Sequence, residues 1–251
     1  MKLTTMGTSH GDPTKSRFSS SNMLSVGDNL YIIECGVPAN ALFIRKNQND
    51  FSKVRAIFIT HMHDDHIGGL PSFIKSLIKY PKGNQHTHIF LPEDVEKQLK
   101  GWLEAMHLTD FEHLITFHKV RPGEIYSDGA IRVFAYATNH IHTIGEAITF
   151  TYVFEAENKR MVYTGDLDRD FSDFSMEALG NGTDLCVCEC THYDVKLAVA
   201  KLKEAPIKTL LFTHIWDSWA TPEGEKQLLH YYQDSYGERC FVAHDGDEFV
   251  I

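Results

Sequence analysis

The stretch FITHMHDDHIGGL, residues 58–70, places three histidines and two aspartates in six consecutive positions directly after an apolar run. Its beginning has the apolar, β-branched character of a buried strand. Its end, with Gly68 and Gly69, allows a tight bend into a helix starting near Pro71. Strand ends and the loops that follow them are where layered α/β proteins expose functional side chains. His61 and His63, two positions apart, share a side if the backbone stays extended, and Asp65 and His66 follow as the chain turns. Imidazole nitrogens packed beside a hard carboxylate oxygen suit Zn²⁺, with Mn²⁺ or Fe²⁺ as substitutes. A merely solvated loop has no reason to carry H-x-H-x-D-H.

Outward from this motif, short apolar runs recur at 30–34, 54–59, 87–91, 131–137, 147–155, 160–164, 184–189, 209–213 and 239–243, most bounded by Gly, Pro, Asn or Asp. They read as strands. Helical spacing appears in LPSFIKSLIKY, with Phe73, Leu77 and Ile78, and in EDVEKQLKGWLEAMH, with Val95, Leu99, Trp102, Leu103 and Met106 on one stripe. DVKLAVAKLKEA and TPEGEKQLLHYYQ complete the set, the last with Thr221 as N-cap and Pro222 at the first helical position. Strand-rich segments with interspersed helices, twice over, predict a layered α/β domain with two sheets. No linker or repeat divides residues 1–251, so one domain is expected.

Three of the strand predictions end in a further metal-binding type of side chain: His140 after VFAYATN, Asp166 after MVYTG and His214 after TLLFT. One such residue would more often be a cap or a turn. Three of them, beside the first motif, predict convergence on one rim.

Composition narrows the classes. The formal net charge is −10, from 24 basic and 34 acidic residues, which argues against long nucleic acid as a partner because that needs clustered Lys and Arg. Cations held by carboxylates and histidines would make the site itself locally positive, so a small anionic substrate stays compatible. No apolar run approaches the roughly 18 residues of a membrane span. The N-terminus lacks the apolar core of a secretory leader. Of five cysteines, Cys186, Cys188 and Cys190 alternate in one predicted strand and read as small buried hydrophobes rather than thiolate ligands. A reducing, cytoplasmic setting without membrane attachment is expected. Nothing along the chain marks a dimer interface, although an exposed apolar patch could make a homodimer.

His61-x-His63-x-Asp65-His66, with His140, Asp166 and His214 in that order, resembles the metallo-β-lactamase superfamily of dinuclear metal hydrolases. The resemblance spans essentially the whole chain. It implies a four-layer αβ/βα sandwich with two mixed β-sheets flanked by helices, and two divalent metal ions at the edge where the sheets meet. His61, His63 and His140 would bind one ion, Asp65, His66 and His214 the other, and Asp166 would bridge them. His142, two residues beyond His140, is the one competing ligand.

Within the superfamily, MGTSHGDPTKSRFSSSN (6–22) followed by YIIECG (31–36) is similar to the opening of ribonuclease Z and its phosphodiesterase relatives, and ECTH (189–192) is similar to a Glu-Ala-Thr element and a later His of that group. The similarity implies a phosphodiesterase acting on a small phosphodiester or on a nucleotide or RNA end through a hydroxide held between the metals. Asp65 would take the proton of that water, and Glu189 with His192 would serve the leaving group. His192 can equally be read as a helix N-terminal residue. Two departures stand out: no insertion matches a long tRNA-binding arm, and IWDSW follows His214 where an Arg/Tyr-containing stretch is expected. Trp216 and Trp219 offer aromatic faces near the last ligand or serve as core aromatics. Hydrolysis of a carboxylic ester, lactone or thioester at the same site is the enzymatic alternative, and a metal-binding sensor without turnover the non-enzymatic one.

Overall fold

A computed structural model describes residues 1–80 and 86–251. Two seven-stranded sheets face each other. The first contains β1 (Lys2–Gly7), β2 (Ser21–Val26), β3 (Asn29–Cys35), β4 (Val54–Phe58), β5 (Thr87–Leu91), β6 (Ile115–Lys119) and, from the C-terminal end, β14 (Glu248–Val250), in the order β14-β1-β2-β3-β4-β5-β6. The second contains β7 (Gly123–Ser127), β8 (Arg132–Ala137), β9 (Phe150–Ala156), β10 (Lys159–Tyr163), β11 (Thr183–Cys190), β12 (Ile207–Ile215) and β13 (Cys240–Val242), in the order β13-β12-β11-β10-β9-β8-β7. In each sheet the earlier strands pair antiparallel and the later ones, β3 to β6 and β10 to β13, pair parallel. Both sheets are therefore mixed.

The alternation of each strand explains the layers. Tyr31, Ile33, Ala56 and Phe58 from the first sheet meet Tyr152, Phe154, Met161, Leu185 and Val187 from the second in a shared inner core. Their neighbours Ile32 and Ile57 point outward against α1 (Ala39–Asn47), α3 (Leu70–Lys79) and α4 (Glu96–Ala105), through Phe43, Phe73, Leu77 and Leu103. Val162, Cys186, Cys188, Leu210 and Phe212 do the same on the far side, where α5 (Met176–Leu179), α6 (Val195–Glu204), α7 (Pro222–His230) and α8 (Gln233–Tyr236) lie. Strands covered on both faces read as continuous apolar runs, which is why the parallel ones other than β6 are legible in the sequence. The predicted αβ/βα sandwich is the observed one. All five cysteines are free and buried.

Several expectations need correction. β1, β2, β6, β7 and β14 were not anticipated, nor were α1, α5, α8 and the short α2 (Asp64–Ile67). The run 147–155 enters the sheet only at Phe150, so a loop precedes it. The stripe assigned to α4 holds only in part: Leu103 is buried, whereas Trp102 is 59% exposed and faces solvent. Thr221 caps α7 as expected, accepting the Gly224 N–H at 3.0 Å. β9 and β10 are joined by Glu157 and Asn158, both with left-handed φ, +54° and +57°. Among the described residues no helix is long and apolar enough to cross a membrane.

Candidate metal centre

The parallel strands all deliver their C-terminal ends to one edge of the sandwich. His61 and His63 follow β4, Asp166 follows β10, Glu189 lies near the end of β11 and His214 near the end of β12. Asp65 and His66 sit in α2, whose approach to β3 is tight: a Cβ on Gly36 would stand 2.1 Å from the Asp65 carbonyl oxygen. Only glycine lets the motif loop pack there. Gly165 holds Asp166 similarly, with φ +62° and Thr60 against its α-carbon.

Two side chains are aimed by β-bulges. Asn22 pairs with Ile33 and Ser21 with Cys35, so Glu34 is the extra residue; Glu189 pairs with Thr213 and Cys190 with Ile215, so His214 is extra. Both adopt left-handed φ, +62° for Glu34 and +53° for His214. Such conformations are costly for side-chain-bearing residues and mark functional sites.

The geometry centres on one oxygen. Asp166 Oδ2 lies 3.5 Å from His61 Nε2, 3.4 Å from His66 Nε2, 3.4 Å from His214 Nε2, 3.8 Å from His140 Nε2 and 3.6 Å from His192 Nδ1. His63 Nδ1 is 2.9 Å from His61 Nε2 and 3.4 Å from His140 Nε2. Asp65 Oδ2 is 3.2 Å from His66 Nε2 and 3.8 Å from His214 Nε2. Donor atoms of His61, His63, His140 and Asp166 thus form one group, and those of Asp65, His66 and His214 a second, with Asp166 between them. His140 belongs to this cluster. His142 does not: its ring is 76% exposed and its Nε2 lies 3.1 Å from Asp168.

The far sides of three rings are held by hydrogen bonds to groups that sequence reading had missed. Thr60 Oγ1 holds His61 Nδ1 at 3.0 Å, Ser20 Oγ holds His214 Nδ1 at 2.9 Å, and the Leu167 carbonyl accepts from His140 Nδ1 at 3.3 Å. Glu34 Oε1 lies 3.4 Å from His66 Nδ1, while its Oε2 accepts the Thr60 N–H. These contacts leave Nε2 of His61, His66, His140 and His214 pointing inward. Glu34 carried a faint signal, an acid closing the apolar run LYII.

Charge tells the same story. Glu34, Asp65, Asp166 and Glu189 are all buried, and among the described residues none is paired with Lys or Arg. Burial pushes the Asp166 carboxyl up, but His214, His66 and His61 around it win and hold it well below the ordinary carboxylate range. Burial opposes a charge on His66, yet Asp166 and Glu34 raise its pKa well above the usual value. Burial lowers His61, His140 and His214. Asp65 Oδ2, His66 Nε2 and Asp166 Oδ1 are buried without hydrogen-bond partners. Orphaned lone pairs and uncompensated carboxylates converging on one space are costly unless a cation takes them. The residues fit two divalent ions.

Glu189 and His192 lie beside this space. Glu189 accepts the backbone N–H groups of Leu167, Thr191 and His192 and faces His192 Nδ1 at 3.2 Å. Burial opposes protonation of His192, but its hydrogen bond to Glu189 and the charge of Asp166 raise its pKa. Of the two tryptophans, Trp219 packs against the core beneath the second sheet, whereas Trp216 is 47% exposed with His10 tilted against it at 4.7 Å.

The fold matches that of the metallo-β-lactamase fold protein YhfI from Bacillus subtilis (TM-score 0.77, 19% identity, 99% of each chain covered) and of the short form of human tRNase Z (TM-score 0.76, 19% identity, 100% of this chain and 99% of that one). In sequence, the chain is 33% identical over 135 residues to the ribonuclease Z of Crocosphaera subtropica, a match covering 53% of this chain and 42% of that protein. The chain spans less than half the length of the curated relatives it matches. The sandwich and its sheet order are those of the metallo-β-lactamase fold, and the sequence likeness is to ribonuclease Z. Within that fold, the chain belongs to the family described as anti-Pycsar protein Apyc1, whose model matches residues 1–216.

Proposed function

We propose that the protein is a dinuclear metal-dependent phosphodiesterase acting on a small phosphodiester or nucleotide. The observation that carries this reading is Asp166 Oδ2, within 3.4–3.8 Å of the Nε2 atoms of four histidines that themselves divide into two ligand groups. His61, His63 and His140 would hold one ion, Asp65, His66 and His214 the other, with Asp166 shared. Divalent ions, Zn²⁺ by donor type, would acidify a water and neutralise charge on the phosphoryl oxygens.

The chain's own residues supply the rest. Asp65, its Oδ2 free of hydrogen bonds, accepts the proton of the attacking water. His192 has Nδ1 committed to Glu189, so Nε2 is the atom that delivers a proton to the leaving oxygen. Glu189 holds the ring and lies too deep to meet substrate itself. Likeness to ribonuclease Z supports phosphorus rather than carbonyl carbon as the centre attacked. The family description supplies the biological setting, opposition to Pycsar.

Purified protein should carry two divalent ions per chain and hydrolyse bis-p-nitrophenyl phosphate or cyclic nucleotides, assayed beside a lactone and a thioester. Turnover of the lactone or thioester alone moves the reaction to carbonyl chemistry. Full metal occupancy without turnover of any of the four makes it a sensor.

A further inference from the structure

The cavity next to the metal centre encloses about 480 Å³. His63, His140 and His192 form one wall, and His142, Asp168 and Arg169 the other. The second wall is firmly tied. Asp173 accepts the backbone N–H of Asn139 at 2.8 Å and of Asp168 at 3.0 Å, joining the loop after β8 to the loop after β10. The His142–Asp168 contact links the same two loops. The Arg169 N–H donates to Asp168 Oδ1 at 2.6 Å, and the Ser172 N–H to Asp170 Oδ1 at 2.8 Å.

Every carboxylate flanking Arg169 is therefore engaged elsewhere. Among the described residues the Arg169 guanidinium makes no ion pair, although four aspartates, Asp166, Asp168, Asp170 and Asp173, lie within four positions of it. Arg17, Arg121, Arg132 and Arg160 are each paired with a glutamate, whereas Arg45, Arg55 and Arg239 share with Arg169 the lack of an ion pair among the described residues but lie outside this cavity. A charged fork left open on an anchored backbone, lining a cavity three residues after Asp166, is placed for a ligand. Guanidinium geometry matches two phosphoryl oxygens at once, and in a chain of net charge −10 a local fixed cation is what draws an anion in.

We propose that Arg169 binds the substrate's anionic phosphoryl oxygens and so sets the preference of the site for a charged diester. The proposal rests on the phosphodiesterase reading for the nature of the substrate, but not for the existence of the anion site. It is tested by calorimetric titration of inorganic phosphate into the metal-loaded protein, with Arg169→Ala, Arg169→Lys and, as a control at the opposite end of the sandwich, Arg239→Ala.

Phosphate affinity should fall about tenfold or more in Arg169→Ala, the worth of a charge-assisted hydrogen bond. It should recover in part in Arg169→Lys and stay unchanged in Arg239→Ala, with metal content equal in all. The KM for bis-p-nitrophenyl phosphate should rise in parallel. Wild-type phosphate affinity in Arg169→Ala, no phosphate binding by the wild type, or loss of metal from the variant overturns the proposal. Arg169-dependent phosphate binding without diester cleavage sinks the phosphodiesterase reading alone. Cleavage with KM and phosphate affinity unmoved by Arg169→Ala sinks this assignment alone.

Discussion

The molecule contains two gatherings of histidine, and they behave oppositely. At the candidate metal centre, five rings from three stretches of the chain meet buried carboxylates, and the outer nitrogens of four of them face Thr60, Ser20, Glu34 and the Leu167 carbonyl. At the β5–β6 edge, His86, His88 and His118 also cluster. There the nitrogens satisfy one another and the sheet: His88 Nδ1 meets His118 Nε2 at 2.8 Å, and His86 Nε2 meets Thr116 Oγ1 at 2.8 Å. His118 stacks on Phe90 at 4.8 Å. The nearby Asp128 carboxylate is already taken by the hydroxyls of Tyr31 and Tyr126. Density of imidazole does not make a metal site. Lone pairs left over beside uncompensated carboxylates do.

Three variants would break or sharpen that contrast. The largest effect belongs to Asp166→Ala, which removes the oxygen common to both ligand groups. Bound metal should fall from two ions to one or none by elemental analysis, and hydrolysis by on the order of a thousandfold. Retention of both ions would mean that the shared oxygen is not the organising element. Next is Glu34→Gln, which keeps shape but removes the charge behind His66. Metal affinity, read by competition with a chromogenic chelator, should weaken by about ten- to a hundredfold. An unchanged titration would reduce Glu34 to a structural acid.

The smallest effect is expected at the other cluster. Replacing His88 and His118 together by Gln should leave metal content untouched and alter only the pH dependence of stability. Burial, then neighbouring histidines, lowers both pKa values, with partial offset from Asp128 at His88 and Glu96 at His118. The unfolded chain therefore binds more protons there. Stability is intact above the ordinary histidine pKa of about 6.5 and declines as pH falls through the lower folded values. The melting temperature of the parent protein should drop between neutral pH and about pH 5 more steeply than that of the double variant. Parallel curves would deny the cluster any part in it.

Much of the site was legible because its ligands close apolar strands, and a strand buried on both faces announces itself. His140, Asp166 and His214 were found in this way, His61, His63, Asp65 and His66 from the density of their motif, and all seven lie together. What escaped had polar sequence and buried position. β1 and β2 carry Thr4, Thr5, Ser21 and Asn22, which are polar yet buried and so break the apolar pattern of a strand. Glu34 and His214 owe their aim to bulges, and a bulge leaves no mark in the alternation of a single strand because it depends on the neighbour's register. Arg169 was invisible for another reason. In LDRD it looks like one more neutralised charge, and only the hydrogen bonds of its neighbours show that it is left over.

The turn at Glu157 and Asn158 has a practical side. It closes β9 and β10 at the end away from Asp166, so the five residues of β10 keep it roughly 17 Å from the chemistry. A fluorophore or affinity handle installed there would report on the protein while staying clear of whatever enters the opposite rim.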